Sequence, residues 1–543
     1  MSNPVVTINV SEQVAPAPAT LQKTGALVSQ GGTSTTPGTK SLLTQPSDLT
    51  PLLTPAKAIA SISQVGSTVS VTTVEPDGFA TGDTVNLTIA GMVPAGYNGG
   101  FTCSITGPSS FTYQLSTSPG AATVLGTYVP SEVNSLIQRV TTFFAQGTAQ
   151  SAYVLELGAG NANDGVAFLT SWIAANPNVF YSYLVPRFWD GNAAFLSLLA
   201  SFESTGAKTY FFVTTTLVTY QLYAGMKCVI WLIEAPAYGV WPANALTGLS
   251  WNSGVASATT TTNHGVLPGQ WFQLSGSSPA GYNGWALAQQ GTTGETLVWN
   301  LATNPGAESV LGTLLQSQNA SAGIGATEFS LAAIFRVTLN YAPSSTNKVT
   351  PLNYGFVYGV TPFPVPGNNS LITTLLNANG NLIGTGAAGN ISGTLVLGGK
   401  TADGNPFKYW YSVDWTQINL GVNLTAALID GANNPQNPVD YDQPGINTLT
   451  QTAVSTMGTG ISNGLVLNPI KQTALDAADL ATALDLDTYG GNTLVNADPF
   501  GSYVAENPND YESGTYNGLS VDYTPLRGFE SITVNVIVSS FAG

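Results

Sequence analysis

Apolar residues recur along the chain with two different periods. Near the start, Val6, Ile8 and Val10 share one face and Val5, Thr7 and Asn9 the other, the two-residue alternation of a half-buried strand. Near the end, Ile532, Val534, Val536 and Val538 alternate with Thr533 and Asn535 in the same way. Ala15-Pro16-Ala17-Pro18 follows the first of these and favours an extended, polyproline-like spacer. Both ends therefore predict strand arms, residues 1–20 and 525–543. A short strand on a flexible spacer suits pairing with another subunit.

Between residues 129 and 246 the pattern predicts strands alternating with helices. Val133, Leu136, Ile137, Val140 and Phe144 fall at helical spacing after a capping Ser131, and Gly147 ends the run. A strand over 153–157 follows. Asp164 is then placed to cap a helix carrying Val166, Leu169 and Ile173, which Asn176-Pro177 stops because proline cannot continue helical hydrogen bonding. A strand over 179–184 leads to a helix capped by Asp190, with Phe195, Leu198, Leu199 and Phe202 on one face, closed near Gly206. Strands over 209–213 and 228–233 complete an α/β domain, residues 21–58 plus 129–246, built on a parallel or mixed sheet. From Phe329 onward a C-terminal α+β domain, 317–524, is expected, with a strand over 331–339 and helices near 370–377, 416–430 and 471–486.

An internal repeat interrupts this series. Pro94-Ala95-Gly96-Tyr97-Asn98-Gly99 recurs as Pro279-Ala280-Gly281-Tyr282-Asn283-Gly284. Farther on, Pro119-Gly120-Ala121 and Val124-Leu125-Gly126-Thr127 return as Pro305-Gly306-Ala307 and Val310-Leu311-Gly312-Thr313. Short Val/Thr/Phe runs between turn signals predict two inserted all-β modules, 59–128 and 247–316, each a sandwich or barrel of immunoglobulin-like kind. Asn98-Gly99 and Asn283-Gly284 are expected as type I′ hairpin turns. Two copies are too few for a solenoid, so the modules are expected to project from the α/β domain.

Composition narrows the function. Of 543 residues 43% are hydrophobic but only 8% charged, so Ser, Thr, Asn, Gln and Gly must cover most of the surface. The formal net charge of −16 removes the electrostatic attraction that dominates binding to nucleic acid or anionic lipid, and neither is an expected partner. The acid is concentrated after residue 402, where 15 Asp and Glu face three Lys and Arg. No basic-then-apolar leader and no stretch near the ~18 apolar residues of a membrane span is seen, so the chain is expected to start out in the cytosol, without membrane insertion. Cys103 and Cys228 are expected as free thiols.

Candidate chemistry is sparse. The single histidine, His264, cannot form a multi-histidine metal site or a triad without partners and is expected as a surface or turn residue. Gly158-Ala159-Gly160 resembles the opening of a dinucleotide loop, but Asn163 stands where the third glycine belongs, so a tight strand-to-helix connection is expected. Asp476 and Asp479 share one helical face and Leu480 and Leu484 another, the pattern of a solvated contact edge rather than paired catalytic carboxylates. No catalytic, cofactor or metal residue is assigned, and an enzyme is not expected.

Three stretches carry a resemblance: Phe335-Arg336-Val337-Thr338-Leu339-Asn340-Tyr341-Ala342-Pro343, Lys348-Val349-Thr350-Pro351-Leu352-Asn353-Tyr354 and Lys408-Tyr409-Trp410-Tyr411-Ser412-Val413-Asp414-Trp415. Together with the run from Leu155 to Val213, they resemble a group of phage proteins, long labelled uncharacterised, that are similar to contractile bacteriophage tail sheath subunits. The resemblance implies a virion protein assembled in the bacterial cytoplasm as stacked hexameric rings around a tail tube. Contraction of the sheath would drive the tube through the host envelope. It also implies partners: further copies of the chain, the tube protein, and baseplate and tail terminator proteins. The terminal strands would pair between subunits, and the C-terminal domain, with Asp476 and Asp479, would face the tube or a neighbour. The chain departs from the better-known sheath pattern in lacking an arginine-rich helix in its last third, and after Asp403 only Lys408, Lys471 and Arg527 are basic. A surface-layer or adhesin protein and a polysaccharide-degrading tail component are the alternatives.

Overall fold

The computed structural model describes residues 24–529 apart from 116–117, 148–150, 178, 207, 235–238, 262–263, 265, 267, 269–270, 318–327, 339–347, 365–368, 389–390 and 486–491. The chain begins with β1 (Gly25–Ser29) and β2 (Lys40–Leu43), then enters the first module: β3 (Lys57–Val65), β4 (Thr68–Thr73), β5 (Thr84–Ala90), β6 (Gly99–Gly107), β7 (Ser110–Gln114) and β8 (Thr127–Pro130). It returns through α1 (Ser131–Ala145), β9 (Ala152–Glu156), α2 (Ala162–Ala175), β10 (Ser182–Leu184), α3 (Ala193–Thr205), β11 (Tyr210–Thr215) and β12 (Val229–Ile233). The second module follows as β13 (Gly239–Asn252), β14 (Val255–Thr260), β15 (Trp271–Ser275), β16 (Gly284–Leu287), β17 (Thr296–Asn300) and β18 (Thr313–Ser317). After it come α4 (Ser330–Thr338), α5 (Asn369–Asn377), the hairpin β19 (Leu382–Ala388) and β20 (Ile391–Leu397), α6 (Phe407–Ala432) and α7 (Gln443–Ser462). The C-terminal part holds β21 (Ile470–Thr473), α8 (Ala477–Asp485), β22 (Thr493–Ala497) and β23 (Leu519–Asp522).

The protein is thus a mixed α/β, multidomain fold with several sheets. The main sheet has the order β12-β11-β10-β1-β9-β2, parallel throughout except for β2, which runs antiparallel to β9. Counting its parallel strands in chain order gives 2-1-3-4-5, a doubly wound arrangement in which helices cover both faces. Leu136 and Val140 of α1, Ile334 and Phe335 of α4 and Trp410 and Tyr411 of α6 pack on Leu27, Val154, Phe212 and Leu232. On the other face Leu169, Leu199 and Leu375 of α2, α3 and α5 meet Val28, Leu155, Phe211 and Trp231. Burial on both sides is why β12 reads Val-Ile-Trp-Leu-Ile without a polar break.

The helix positions agree with the spacing, but the caps fall elsewhere. Asn161, not Asp164, caps α2: its side chain accepts from the backbone N–H of Asn163 and Asp164, and Asp164 reaches back to the Asn161 N–H at 3.3 Å. Asn192, not Asp190, caps α3, and Asp190 instead accepts from the Tyr223 hydroxyl at 2.8 Å. Ser131 is the first residue of α1, behind Pro130, and its hydroxyl bonds Thr88 at 2.9 Å. Gly206 closes α3 at φ +62°, where a side chain would be strained. Ile137, expected in the core, is 38% exposed, while Phe143 farther along the helix is buried.

Three further expectations are corrected. Residues 331–339 read as a strand, but Ser330–Thr338 is a helix. Leu331 through Phe335 are all fully buried, and an uninterrupted apolar run carries no period that separates the two. The segment expected as a helix over 471–486 begins as strand β21, and its helix starts only at Ala477. α6 begins at Phe407, ahead of the expected start at residue 416, because the aromatic run lies on the helix and Pro406 precedes it.

The first module is a closed barrel, β3-β4-β7-β6-β5-β8, filled by Val69, Val71, Leu87, Ile89, Ile105 and Phe111. The second has the same circular order, β13-β14-β17-β16-β15-β18, with its last seam formed by the single bridge Ala288–Trp299. Asn98 and Asn283 are not in type I′ turns: their φ values are −81° and −80°, where that turn needs positive φ. Each asparagine instead spends its side chain on the backbone N–H and carbonyl of the residue six positions earlier, Met92 and Ser277. His264 is fully buried in the second module rather than on its surface, with Nδ1 accepting from the Val266 N–H at 3.0 Å, and burial lowers its pKa. Cys103 and Cys228 are buried free thiols. No helix among the described residues is long and apolar enough to cross a membrane.

Candidate functional site

The strand residues expected to link subunits, Val6, Ile8, Val10, Ile532, Val534, Val536 and Val538, lie outside the described residues. Thr24 is fastened at the start of the central strand, its hydroxyl donating to Val179 O at 2.7 Å and its carbonyl accepting from Tyr181 N at 2.8 Å. After β23, Leu526 N donates to Leu465 O at 2.8 Å, and Arg527 donates to Asn405 at 3.2 Å while its guanidinium stacks over Tyr409, 4.8 Å from the ring centre. Tyr181 and the first turns of α6 touch, with ring centres 6.4 Å apart to Phe407 and 6.2 Å to Tyr411. Thr24 and Tyr181 thus lie where the parallel strands β1 and β10 begin, and the Tyr181 ring meets the first turns of α6, the helix that also carries Tyr409 beneath Arg527.

A buried polar cluster sits beneath this end. Asp414 of α6 accepts hydrogen bonds from the hydroxyls of Tyr181 and Tyr210, each at 3.0 Å. Burial pushes its carboxyl up to about 6, against the pull of Lys208 and the two hydroxyls. Lys208 in turn is pushed down to about 8, chiefly by burial. Burial also raises both tyrosines well above their ordinary value. The cluster is the polar seam between sheet and covering helix. The sequence does carry a signal for it, one acid inside the otherwise aromatic run Tyr409–Trp415.

At the opposite end, beyond the carboxyl ends of β1 and β9, Glu156 is buried and fully occupied. One of its oxygens accepts from the N–H groups of Gly31 and Gly158 at 2.7 and 2.8 Å. The other accepts from the Ser29 and Thr33 hydroxyls and the Thr33 N–H. The Gly158-Ala159-Gly160 loop is therefore a tight strand-to-helix connection, bound to an internal carboxylate. Beside it a cleft of about 340 Å³ separates the first barrel from the α/β core, lined by Gln30, Asn86, Phe101, Gln138, Asn161 and Arg187. Its polar groups are largely paired with one another: Arg187 donates to Glu234, Gln138 and the Glu328 carbonyl, and Gln30 accepts from Trp189. Arg139 beneath is wholly buried, ion-paired with Glu132, and burial lowers its pKa to about 9. This arrangement joins domains and offers no positioned nucleophile and base.

Asp476 and Asp479 do lie together at the start of α8. Asp476 caps the helix, its carboxylate accepting from Asp479 N at 2.8 Å, and Asp479 is exposed. Asp498 is close by; burial raises its carboxyl, and Glu506 and Asp476 push it the same way. Among the described residues no group of three or more His, Cys, Asp or Glu could hold a metal ion. No protein-family model matches the chain, and no curated protein matches it.

Proposed function

We propose that the protein is a structural subunit of a contractile bacteriophage tail sheath, binding further copies of itself, the tail tube, and baseplate and terminator proteins within the virion. The observation that carries this reading is that the three stretches bearing the sheath resemblance meet in one core, through Phe335, Val349, Leu352, Phe407, Trp410, Tyr411 and Trp415. The alternating terminal segments, read as strands from the sequence, would connect subunits by strand addition, which supplies main-chain bonds. The sheath-like character of the α/β core and the immunoglobulin-like character of the modules belong to the same proposal. Negative-stain microscopy of the purified protein tests it: tubes or stacked rings are expected, and discrete monomers at every concentration and salt would overturn it.

A further inference from the structure

We infer that the loop end of each β-module docks onto a second copy of this chain, the end of the first module in one copy meeting the end of the second module in the next. This rests on the self-assembly reading above and names a contact within it.

The starting point is where the two modules have stayed alike. Their strands have diverged: β5 reads Thr-Val-Asn-Leu-Thr-Ile-Ala, while its counterpart β15 reads Trp-Phe-Gln-Leu-Ser. The identities gather in two segments, 94–99 with 119–127 and 279–284 with 305–313, and these segments touch in both barrels. Tyr97 donates to Gly120 O at 2.7 Å and Tyr282 to Gly306 O at 3.0 Å. A bridge joins Val93 to Val124, and another joins Ser278 to Val310.

Most of the retained residues have work to do inside the module. The tyrosines tie the two segments together and the asparagines fasten the preceding turn. Gly126 and Gly312 have no room for a side chain, since a Cβ would stand 1.9 Å from Ala90 O in one and 2.3 Å from Ser275 O in the other. Val124-Leu125 and Val310-Leu311 are different. Their side chains are 49% and 45% exposed in the first module and 51% and 40% in the second. Packing inside the barrel does not require two large apolar residues there, yet both copies keep the same pair at the same place. Exposed apolar residues scattered singly need no explanation, but an adjacent pair kept at the same place in both modules is what a contact surface would keep.

Charge identifies the partner. The chain carries −16, most of it after residue 402, so copies repel one another as wholes and a contact between them is best made where charge is absent. Residues 91–99 and 119–127 contain no charged side chain, and 276–284 and 305–313 contain only Glu308. A neutral apolar end offers nothing to a charged ligand but fits another neutral apolar end. One chain bears two such ends, so pairing first to second is head-to-tail, the kind of contact that closes rings or extends filaments. Each patch is small and each contact weak, and repetition around an assembly supplies the strength.

The test uses the full chain and sedimentation velocity across a range of concentrations, with circular dichroism and thermal melting to follow the fold. Val124→Asp with Leu125→Asp, and separately Val310→Asp with Leu311→Asp, should each reduce self-association at least tenfold with an unchanged melt. Val124→Ser with Leu125→Ser serves if the aspartates disturb folding. A chain carrying Val124→Lys, Leu125→Lys, Val310→Asp and Leu311→Asp should recover association, because first and second modules then attract between copies. Unchanged association in the aspartate or serine variants overturns the inference. Loss without recovery in the charge-swapped chain overturns the first-to-second pairing and points to another partner. Wild-type self-association that is sensitive to these changes but never forms tubes or rings would leave the contact standing and remove the sheath reading.

Discussion

The hydroxyl of Tyr210, at the first position of β11, donates a 3.0 Å hydrogen bond to Asp414 on α6, across 204 residues of chain. The bond ties the main sheet to the helix that covers it, and it fixes an ionisable group where water does not reach. Facing the same carboxylate are Tyr181 and Lys208, with Lys227 and Tyr523 near enough to interact electrostatically, and Tyr411 acts on Tyr181.

This cluster should make stability depend on pH in a particular direction. Asp414 has its carboxyl raised to about 6, so the folded state binds that proton more tightly than the unfolded chain does. The cost of burying the charge is fully present above pH 6 and is relieved as pH falls from 6 towards 4. Each tenfold gain in proton affinity on folding is worth ~1.4 kcal/mol, so the contribution is on the order of 3 kcal/mol at most. Urea unfolding at pH 7, 6 and 5 should show wild type gaining stability relative to Asp414→Asn as the pH falls. Parallel curves for the two proteins would show that Asp414 does not titrate in this window.

Removing residues 532–543 should leave a folded, soluble protein that no longer forms tubes. Left unpaired, a valine-rich strand exposes backbone donors and acceptors that proteins ordinarily cover. Size-exclusion chromatography and microscopy read the outcome, and tubes of normal length from the truncated chain would contradict the linking role. An aggregated product would instead mean that the strand closes its own subunit.

Asp476 combines two roles that mutations can separate. Asp476→Ala removes the helix cap and should cost about 1 kcal/mol, whereas Asp476→Asn keeps an acceptor for the Asp479 N–H. If the acidic edge contacts the tube or a neighbour, Asp476→Asn with Asp479→Asn should change the salt dependence of assembly, because exposed charges are screened within about 10 Å at 0.1 M salt and about 3 Å at 1 M. Light scattering against salt concentration measures it, and an unaltered salt profile would assign Asp476 to capping alone.

Gly126→Ala should unfold the first barrel and Gly312→Ala the second, since each added methyl would overlap a backbone carbonyl. Tyr97→Phe and Tyr282→Phe should be milder, each losing one hydrogen bond worth about 1 kcal/mol. Limited proteolysis resolves the effects by showing cleavage within 59–128 or 247–316. Resistance equal to wild type in the glycine variants would refute the close approach.

Much of the architecture is legible in the sequence because it rests on local spacing. The alternation of strands and helices from α1 to β12 is readable from periodicity, and the duplication from identical hexapeptides. What the sequence hides shares one cause: tertiary surroundings decide it. Residues 331–335 of α4 are apolar without a break, so nothing in Leu331–Phe335 distinguishes helix from strand until Phe143 and Phe212 close around Phe335. The caps go to asparagines because those side chains, and not the neighbouring aspartates, meet the first free N–H groups. The Asp414 cluster joins residues from three distant segments, and only the oddness of an acid among aromatics hints at it.

Closure of the first module has a bearing on how the protein avoids misassembly. In a closed barrel every strand already has two neighbours, so β3 to β8 offer no template to a loose strand from another chain. If terminal strands are exchanged between copies, acceptors must be sought in the open sheets, such as beside β2 or along β21 and β23. The weak point lies in the second module, where one bridge between Ala288 and Trp299 holds the last seam. Should that seam part, β16 and β17 would become free edges, and a stray strand captured there would jam the polymer at the wrong address.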